Sequence, residues 1–99
     1  MGKVNKELRS KLQFNRNEIE NEDGVSKQVI ISTTYAGIYR QYSYHDDGTN
    51  DEEDKMLLDI EARNTLTHAV EKAIIAKEKY LRGDTLTEQE IRIVKLLNL

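Results

Sequence analysis

Histidine is the side chain best suited to acid–base chemistry near neutral pH, and the sequence has few of them. It contains two histidines, His45 and His68, and no cysteine. An imidazole beside a carboxylate can act as a general acid or base, but neither histidine has a second ligand or a nucleophile at a diagnostic spacing. The sequence also lacks an HExxH zinc motif, a glycine-rich phosphate loop and a nucleophile elbow. We therefore expect surface or capping histidines in a protein that is not an enzyme and needs no cofactor. A small acid–base enzyme is the alternative.

The segment 46–54 is strongly acidic, with six carboxylates and no basic residue. Placing Gly48 at the glycine position of an EF-hand calcium loop puts Ser43 and His45 at two of the ligand positions. Neither side chain suits a hard cation, so we expect no metal site. We interpret the segment as a solvated loop leading into a helix, whose positive N-terminus favours nearby acidic residues.

A cluster of tyrosines is the strongest candidate for recognition. Four of the five tyrosines lie in the segment 35–44, together with Arg40. Tyrosine and arginine are enriched at interface hot spots, and both also stack on nucleic acid bases. Tyrosine also simply favours strands, and an extended chain would place only part of the cluster on one face. The hypothesis is a partner-binding surface consisting of Tyr39, Arg40, Tyr42, Tyr44, Asp46, Asp47 and Asp51.

The charge is unevenly distributed along the chain, although the formal net charge is only −3. Residues 1–16 contain one acidic residue, Glu7, and five basic ones: Lys3, Lys6, Arg9, Lys11 and Arg16. Such a segment could contact phosphates, so the alternative function is a small nucleic-acid-binding homodimer. The negative net charge and the isolation of this basic segment argue against that alternative.

The sheet is predicted from β-branched residues and turn signals. Residues 27–34 favour a strand, and Ala36-Gly37 could form a tight hairpin turn leading into residues 38–44. A helical turn over the tyrosines is the competing interpretation. Residues 3–14 fit one helical face, although Leu12 and Phe14 also alternate as in a strand. Residues 21–24 are typical of a turn.

Two helices are predicted in the second half. Apolar residues recur at helical spacing over residues 51–82, with Asn50 as the N-cap, Glu53 completing a capping box and Gly83 at the end. The alternative is a third strand over residues 55–62, with the helix beginning near Asn64. A second helix would start from a capping box of Thr87 and Glu90. The residues expected to pack it against the long helix are Ile91, Val94, Leu96 and Leu97.

The segment from Leu86 to about Leu97, LTEQEIRIVKLL, resembles the opening helix of LuxR-type helix-turn-helix domains. The resemblance rests on the Leu-Thr pair followed by an acidic, leucine-rich helix. A recognition helix would have to follow to enter a DNA groove, and the sequence does not provide one. We therefore do not expect DNA binding from this segment.

The sequence as a whole predicts one α+β domain over residues 1–99. A small antiparallel sheet of two to three strands would pack against the long helix and the short C-terminal helix. The N-terminus has no apolar stretch typical of a secretory signal, so we expect a cytoplasmic protein. Small size and segregated charge suit a regulator, inhibitor or adaptor that binds another protein. Such features are common in phage and mobile-element accessory proteins, some of which block a host protein. A homo-oligomer would help to stabilise so small a core.

Overall fold

The computed structural model describes residues 4–98 and begins with a short helix followed by an edge strand. Helix α1 spans Lys6–Lys11, and its N-cap Asn5 accepts a hydrogen bond from the Leu8 amide at 3.0 Å. Strand β1 spans Phe14–Glu20. The prediction of one helix over residues 3–14 is therefore wrong at its end, and residue 3 lies outside the described residues. The chain leaves the helix before Phe14 because residues 14–20 pair with the next strand.

The hairpin predicted at Ala36-Gly37 is confirmed. Strand β2 spans Lys27–Tyr35 and strand β3 spans Ile38–Asp46. Both turn residues have positive φ, 51° for Ala36 and 78° for Gly37, as a type I′ hairpin turn requires. The sheet is an antiparallel meander in the order β1-β2-β3.

Helix α2 spans Glu52–Arg82, which confirms the long helix and excludes a strand over residues 55–62. Its N-cap is Asp51, which accepts from the Asp54 amide at 2.8 Å, so the prediction of Asn50 as N-cap is wrong. Asn50 instead donates to the Asp46 carboxylate at 3.1 Å. Gly83 ends the helix at φ 79°, a left-handed conformation that glycine adopts without strain. Despite its 31 residues, neither α2 nor any other helix within residues 4–98 combines the length and apolarity needed to cross a membrane.

Helix α3 spans Glu88–Leu96 and begins with the predicted capping box. The Glu90 amide donates to Thr87 Oγ1 at 3.2 Å, and the Thr87 amide donates to Glu90 Oε1 at 2.9 Å. An ion pair of 3.0 Å between Lys79 Nζ and Glu90 Oε2 joins α3 to α2. Val94 is buried as expected, but Leu96 is 74% exposed. The prediction that Leu96 packs against the long helix is therefore wrong.

The core lies between one face of the sheet and the helices, which confirms the α+β class. One cluster joins Val29 and Ile31 of β2 to Ala62 and Leu66 of α2. A second joins α1 to α2 through Leu8, Leu12 and Val70. The sheet therefore has one covered face and one that faces solvent.

Candidate functional site

The two faces of the sheet follow from strand alternation and register. Val29, Ile31 and Thr33 of β2 are buried against the helices, and every second residue between them points the other way. No helix in the described part of the chain packs on that other side. We call this side the open face. Its eleven side chains are Asn15, Asn17, Ile19, Gln28, Ile30, Ser32, Thr34, Tyr39, Gln41, Ser43 and His45.

The open face has no lysine, arginine, aspartate or glutamate, although these residues make up 33% of the chain. It presents amides, hydroxyls, one imidazole and a few apolar groups. Ile19 is 53% exposed and Tyr39 is 54% exposed, and the register places them near opposite ends of the face. Ile30 lies between them on the central strand. The face therefore combines apolar contact area with groups that both donate and accept hydrogen bonds.

Such a surface differs from ordinary solvated protein surface. Charged residues are depleted and tyrosine is enriched in the centres of protein interfaces. Removing charged groups from water is costly, whereas neutral amides and hydroxyls can exchange water for hydrogen bonds with a partner. The open face is therefore suited to burial against another surface.

The structure separates the residues predicted to form the binding surface. Tyr39 lies on the open face, whereas Arg40, Tyr42 and Tyr44 point to the helix side of the sheet. Tyr42 and Tyr44 pack against the core cluster. The Tyr44 hydroxyl donates to Asp59 Oδ1 of α2 at 2.5 Å. Burial and this hydrogen bond raise the pKa of Tyr44. These two rings thus anchor the helix to the sheet.

A series of ion pairs extends from this contact to the edge strand β1. Arg16 of β1 lies 3.2 Å from Asp59 Oδ2 and 2.5 Å from Glu18 Oε1. Lys27 of β2 lies 3.3 Å from Glu18 Oε2. The hydrogen bond from Arg16 is the main cause of the lowered pKa of Glu18. The cations of this edge therefore already have partners within the protein.

The acidic residues predicted for the site have different roles. Asp46 is only 5% exposed and accepts from the Gly48 amide at 3.0 Å. Asp47 is exposed and accepts from the amide and the hydroxyl of Thr49. These bonds lower the pKa of both carboxyls. Asp51 caps α2 and is exposed. Within residues 4–98 no group of three or more side chains is arranged to hold a metal ion.

The two histidines lie on opposite sides of the sheet. His45 belongs to the open face, and His68 belongs to α2, which covers the other face. They therefore do not form a pair that could share a proton. Within the basic segment, Lys11 pairs with Glu7 at 3.5 Å, and Arg9 donates to Asn64 at 3.1 Å. Lys3 lies outside the described residues.

Of the eleven open-face residues, only Tyr39 belonged to the predicted binding surface, and the three from β1 could not be placed because that strand was not predicted. Asn15, Asn17 and Ile19 enter the surface only once β1 is paired with β2. The available signal was the absence of charge at alternate positions along residues 28–34 and 39–45. No protein-family model, curated protein or solved structure matches the chain.

Proposed function

We propose that this protein is a non-enzymatic module that binds another protein through the open face of its sheet, as a regulator, inhibitor or adaptor. The observation that carries the proposal is the absence of charge from all eleven positions of that face. A solvated sheet face in so charged a chain would be expected to carry lysine or glutamate. Its neutral composition supports a role in contact with a partner.

The footprint of the face indicates how far the partner must extend. Three strands about 4.8 Å apart and up to nine residues long give a projected area of about 400 Å². A standard interface buries about 800 Å² on each partner. The partner must therefore also cover the rim. Exposed Asp47 follows the end of β3 directly, so a partner with a neutral centre and a basic edge fits best.

Charge at the rim and neutral groups at the centre would act on different rate constants. Exposed carboxylates such as Asp47 and Asp51 would steer a basic edge and accelerate association at low salt. The contacts of Ile19 and Tyr39 would mainly slow dissociation, since short-range packing governs the lifetime of a complex. Affinity that falls only modestly with salt is therefore expected.

The open face is poorly suited to nucleic acid. Phosphate contacts require lysine or arginine, and this face has neither. Of the predicted basic segment, Arg16 contacts two carboxylates, Arg9 donates to Asn64, and Lys11 forms an exposed ion pair with Glu7. No contact of the described residues favours the nucleic-acid-binding alternative, so we propose protein binding alone.

Charge introduced onto the open face tests the proposal. Ile19→Lys and Tyr39→Lys each place a cation in the neutral surface at a position that is already exposed. Leu96→Lys is the matched control, because Leu96 is an exposed apolar residue on α3 and does not belong to the open face. Proteins captured from an extract of the native host by the unaltered chain should be lost with either sheet variant and retained with the control. Melting curves establish that all three variants fold.

The same variants can also contradict the proposal. Retention of the captured protein by folded Ile19→Lys and Tyr39→Lys would show that the open face is not the binding surface. Sedimentation of the purified chain tests whether a second copy of the chain, rather than a different protein, covers the open face. A dimer that both sheet variants dissociate would replace the proposed heterologous partner with self-association.

A further inference from the structure

A second surface, on the helix side of the protein, carries a separate inference. A groove of about 520 Å³ lies between α2 and α3, with one residue of β3 completing its wall. This volume falls within the range of small-molecule sites. The lining residues are Arg40, Thr65, His68, Ala69, Lys72, Gln89 and Ile93.

The lining is positively charged in a protein that is negative overall. Arg40 and Lys72 contribute cations, and among residues 4–98 no aspartate or glutamate lines the groove, although the chain contains 18 of them. Neither Arg40 nor Lys72 forms an ion pair with another residue of the segment 4–98. These two residues therefore differ from Arg16 and Lys79, whose charges are paired within the fold.

Arg40 is held in place without its charge being neutralised. Its side chain is half-buried on the helix side of β3, and one guanidinium nitrogen donates to the Tyr39 carbonyl at 3.1 Å. Within residues 4–98 the other guanidinium N–H groups have no acceptor, so they are available to a ligand. A planar guanidinium matches two oxygens of a phosphate or carboxylate. The amide of Gln89 can add an uncharged donor.

We infer that this groove binds a small organic molecule that carries a phosphate monoester. Such a group has a charge of about −1.5 to −2 at neutral pH, which matches the combined charge of Arg40 and Lys72. Ala69 and Ile93 offer apolar contact to the body of the molecule. The groove shares no residue with the open face, so this inference is independent of the proposed protein partner.

Phenyl phosphate is a suitable probe, because it joins the charged group to a small apolar body. Titration of the full chain at constant ionic strength, followed by amide NMR shifts, should give millimolar binding with shifts at Ala69, Gln89 and Ile93. Inorganic phosphate should bind more weakly, because it lacks the body. Phenol should not bind measurably, because it lacks the charge. Absence of shifts at these amides with phenyl phosphate would overturn the inference, as would equal binding of phenol.

Single substitutions distinguish binding at a defined site from a general effect of the charge of the protein. Arg40→Gln and Lys72→Gln should each weaken phenyl phosphate about tenfold, since each removes a charge-assisted hydrogen bond. Lys95→Gln is the matched control, because Lys95 is an exposed lysine of α3 outside the groove. It should change affinity less than twofold. Equal weakening by Lys95→Gln, or no weakening by Lys72→Gln, would contradict a defined site. Lys72 is exposed, so its variant tests the inference even if Arg40→Gln does not fold.

Discussion

Gly48 shows how a single residue joins two loops. It has φ 86°, and a Cβ atom at this position would lie 2.7 Å from both the backbone oxygen and Cγ1 of Val25. The loop before α2 therefore rests directly against the loop between β1 and β2. Gly24, in the latter loop, has a similar φ of 70°, but within residues 4–98 no atom beyond its own chain neighbours lies within 4 Å of its Cβ position.

Alanine at these two glycines should separate backbone strain from steric contact. Both substitutions force alanine into the left-handed region, which costs about 1 kcal/mol or more. Gly48→Ala should cost at least about 1 kcal/mol beyond Gly24→Ala, because the Val25 backbone would also have to move. Urea denaturation of the two variants gives the difference in the free energy of unfolding. Equal losses would mean that the two loops do not touch at Gly48.

Residue identities alone could predict only part of the candidate site. Alternation along β3 implies that Tyr39 cannot share a face with Tyr42 and Tyr44, and the structure agrees. Tyr42 and Tyr44 face the helix because the register pairs them with Ile31 and Val29, the buried residues of β2, and Tyr44 also donates to Asp59 on α2. These contacts lie outside β3, so the local pattern of β3 could not show which of its faces is buried.

At the scale of elements, α2 organises the core. Its fully buried apolar positions are Ala62, Leu66, Val70, Ala73 and Ala76, which recur at three- and four-residue spacing. The alanines allow close approach to neighbouring elements, and Leu66 and Val70 fill the space between the layers. The opposite side of α2 is exposed, as at Ile75, which is 42% exposed.

Truncation of Leu66 should therefore be costly. Leu66→Ala removes a side chain that is 2% exposed and is expected to reduce the free energy of unfolding by about 2–5 kcal/mol. Ile75→Ala should cost less than Leu66→Ala, about 1 kcal/mol, because 42% of the Ile75 surface stays in contact with water in the folded protein. Chemical denaturation with both variants measures the contrast. A loss below about 0.5 kcal/mol for Leu66→Ala would place the core elsewhere.

Elements with local signals were predictable, and those held by tertiary contact were not. Turn residues Ala36-Gly37 and the Thr87–Glu90 capping box specify their structures within a few residues. Strand β1 has no apolar alternation, since its helix-side positions after Phe14 are Arg16, Glu18 and Glu20. Pairing with β2 determines its conformation. Asn50 does not cap α2, because its side-chain amide donates to the Asp46 carboxylate.

At the scale of the molecule, several carboxylates are stabilised in their charged form by folding. The pKa is lowered for Glu18, Asp23, Asp46, Asp47 and Glu90. For Asp23 it falls to about 2, because Ser26 and two backbone amides donate to its carboxylate. A carboxyl with a lowered folded-state pKa stabilises the protein above its unfolded pKa. That stability is lost as the pH falls through the folded value.

The protein should therefore lose stability between about pH 4 and pH 2. Asp23→Asn should be less stable than the parent at pH 6. It should lose less stability on acidification, because it lacks the carboxyl whose protonation destabilises the parent. Glu22→Gln, at the neighbouring exposed position, is the control and should follow the parent. Thermal melts at pH 6, 4 and 2.5 measure how the stability of the parent and of each variant changes with pH. Parallel pH profiles for Asp23→Asn and the parent would contradict the assigned hydrogen bonds.

The meander topology has a kinetic consequence. Neighbouring strands pair across short turns, and α3 folds back on α2 after a brief connection, so most contacts require little loop-closure entropy. The packing of β2 on α2 and the docking of α1 are the long-range exceptions, and in the second of these Arg9 meets Asn64 across 55 residues of chain. The sheet and the helix pair can form first, and α1 then docks. By the same reasoning α1 is released first in local unfolding, which would expose Leu8, Leu12 and Val70 while the sheet remains intact.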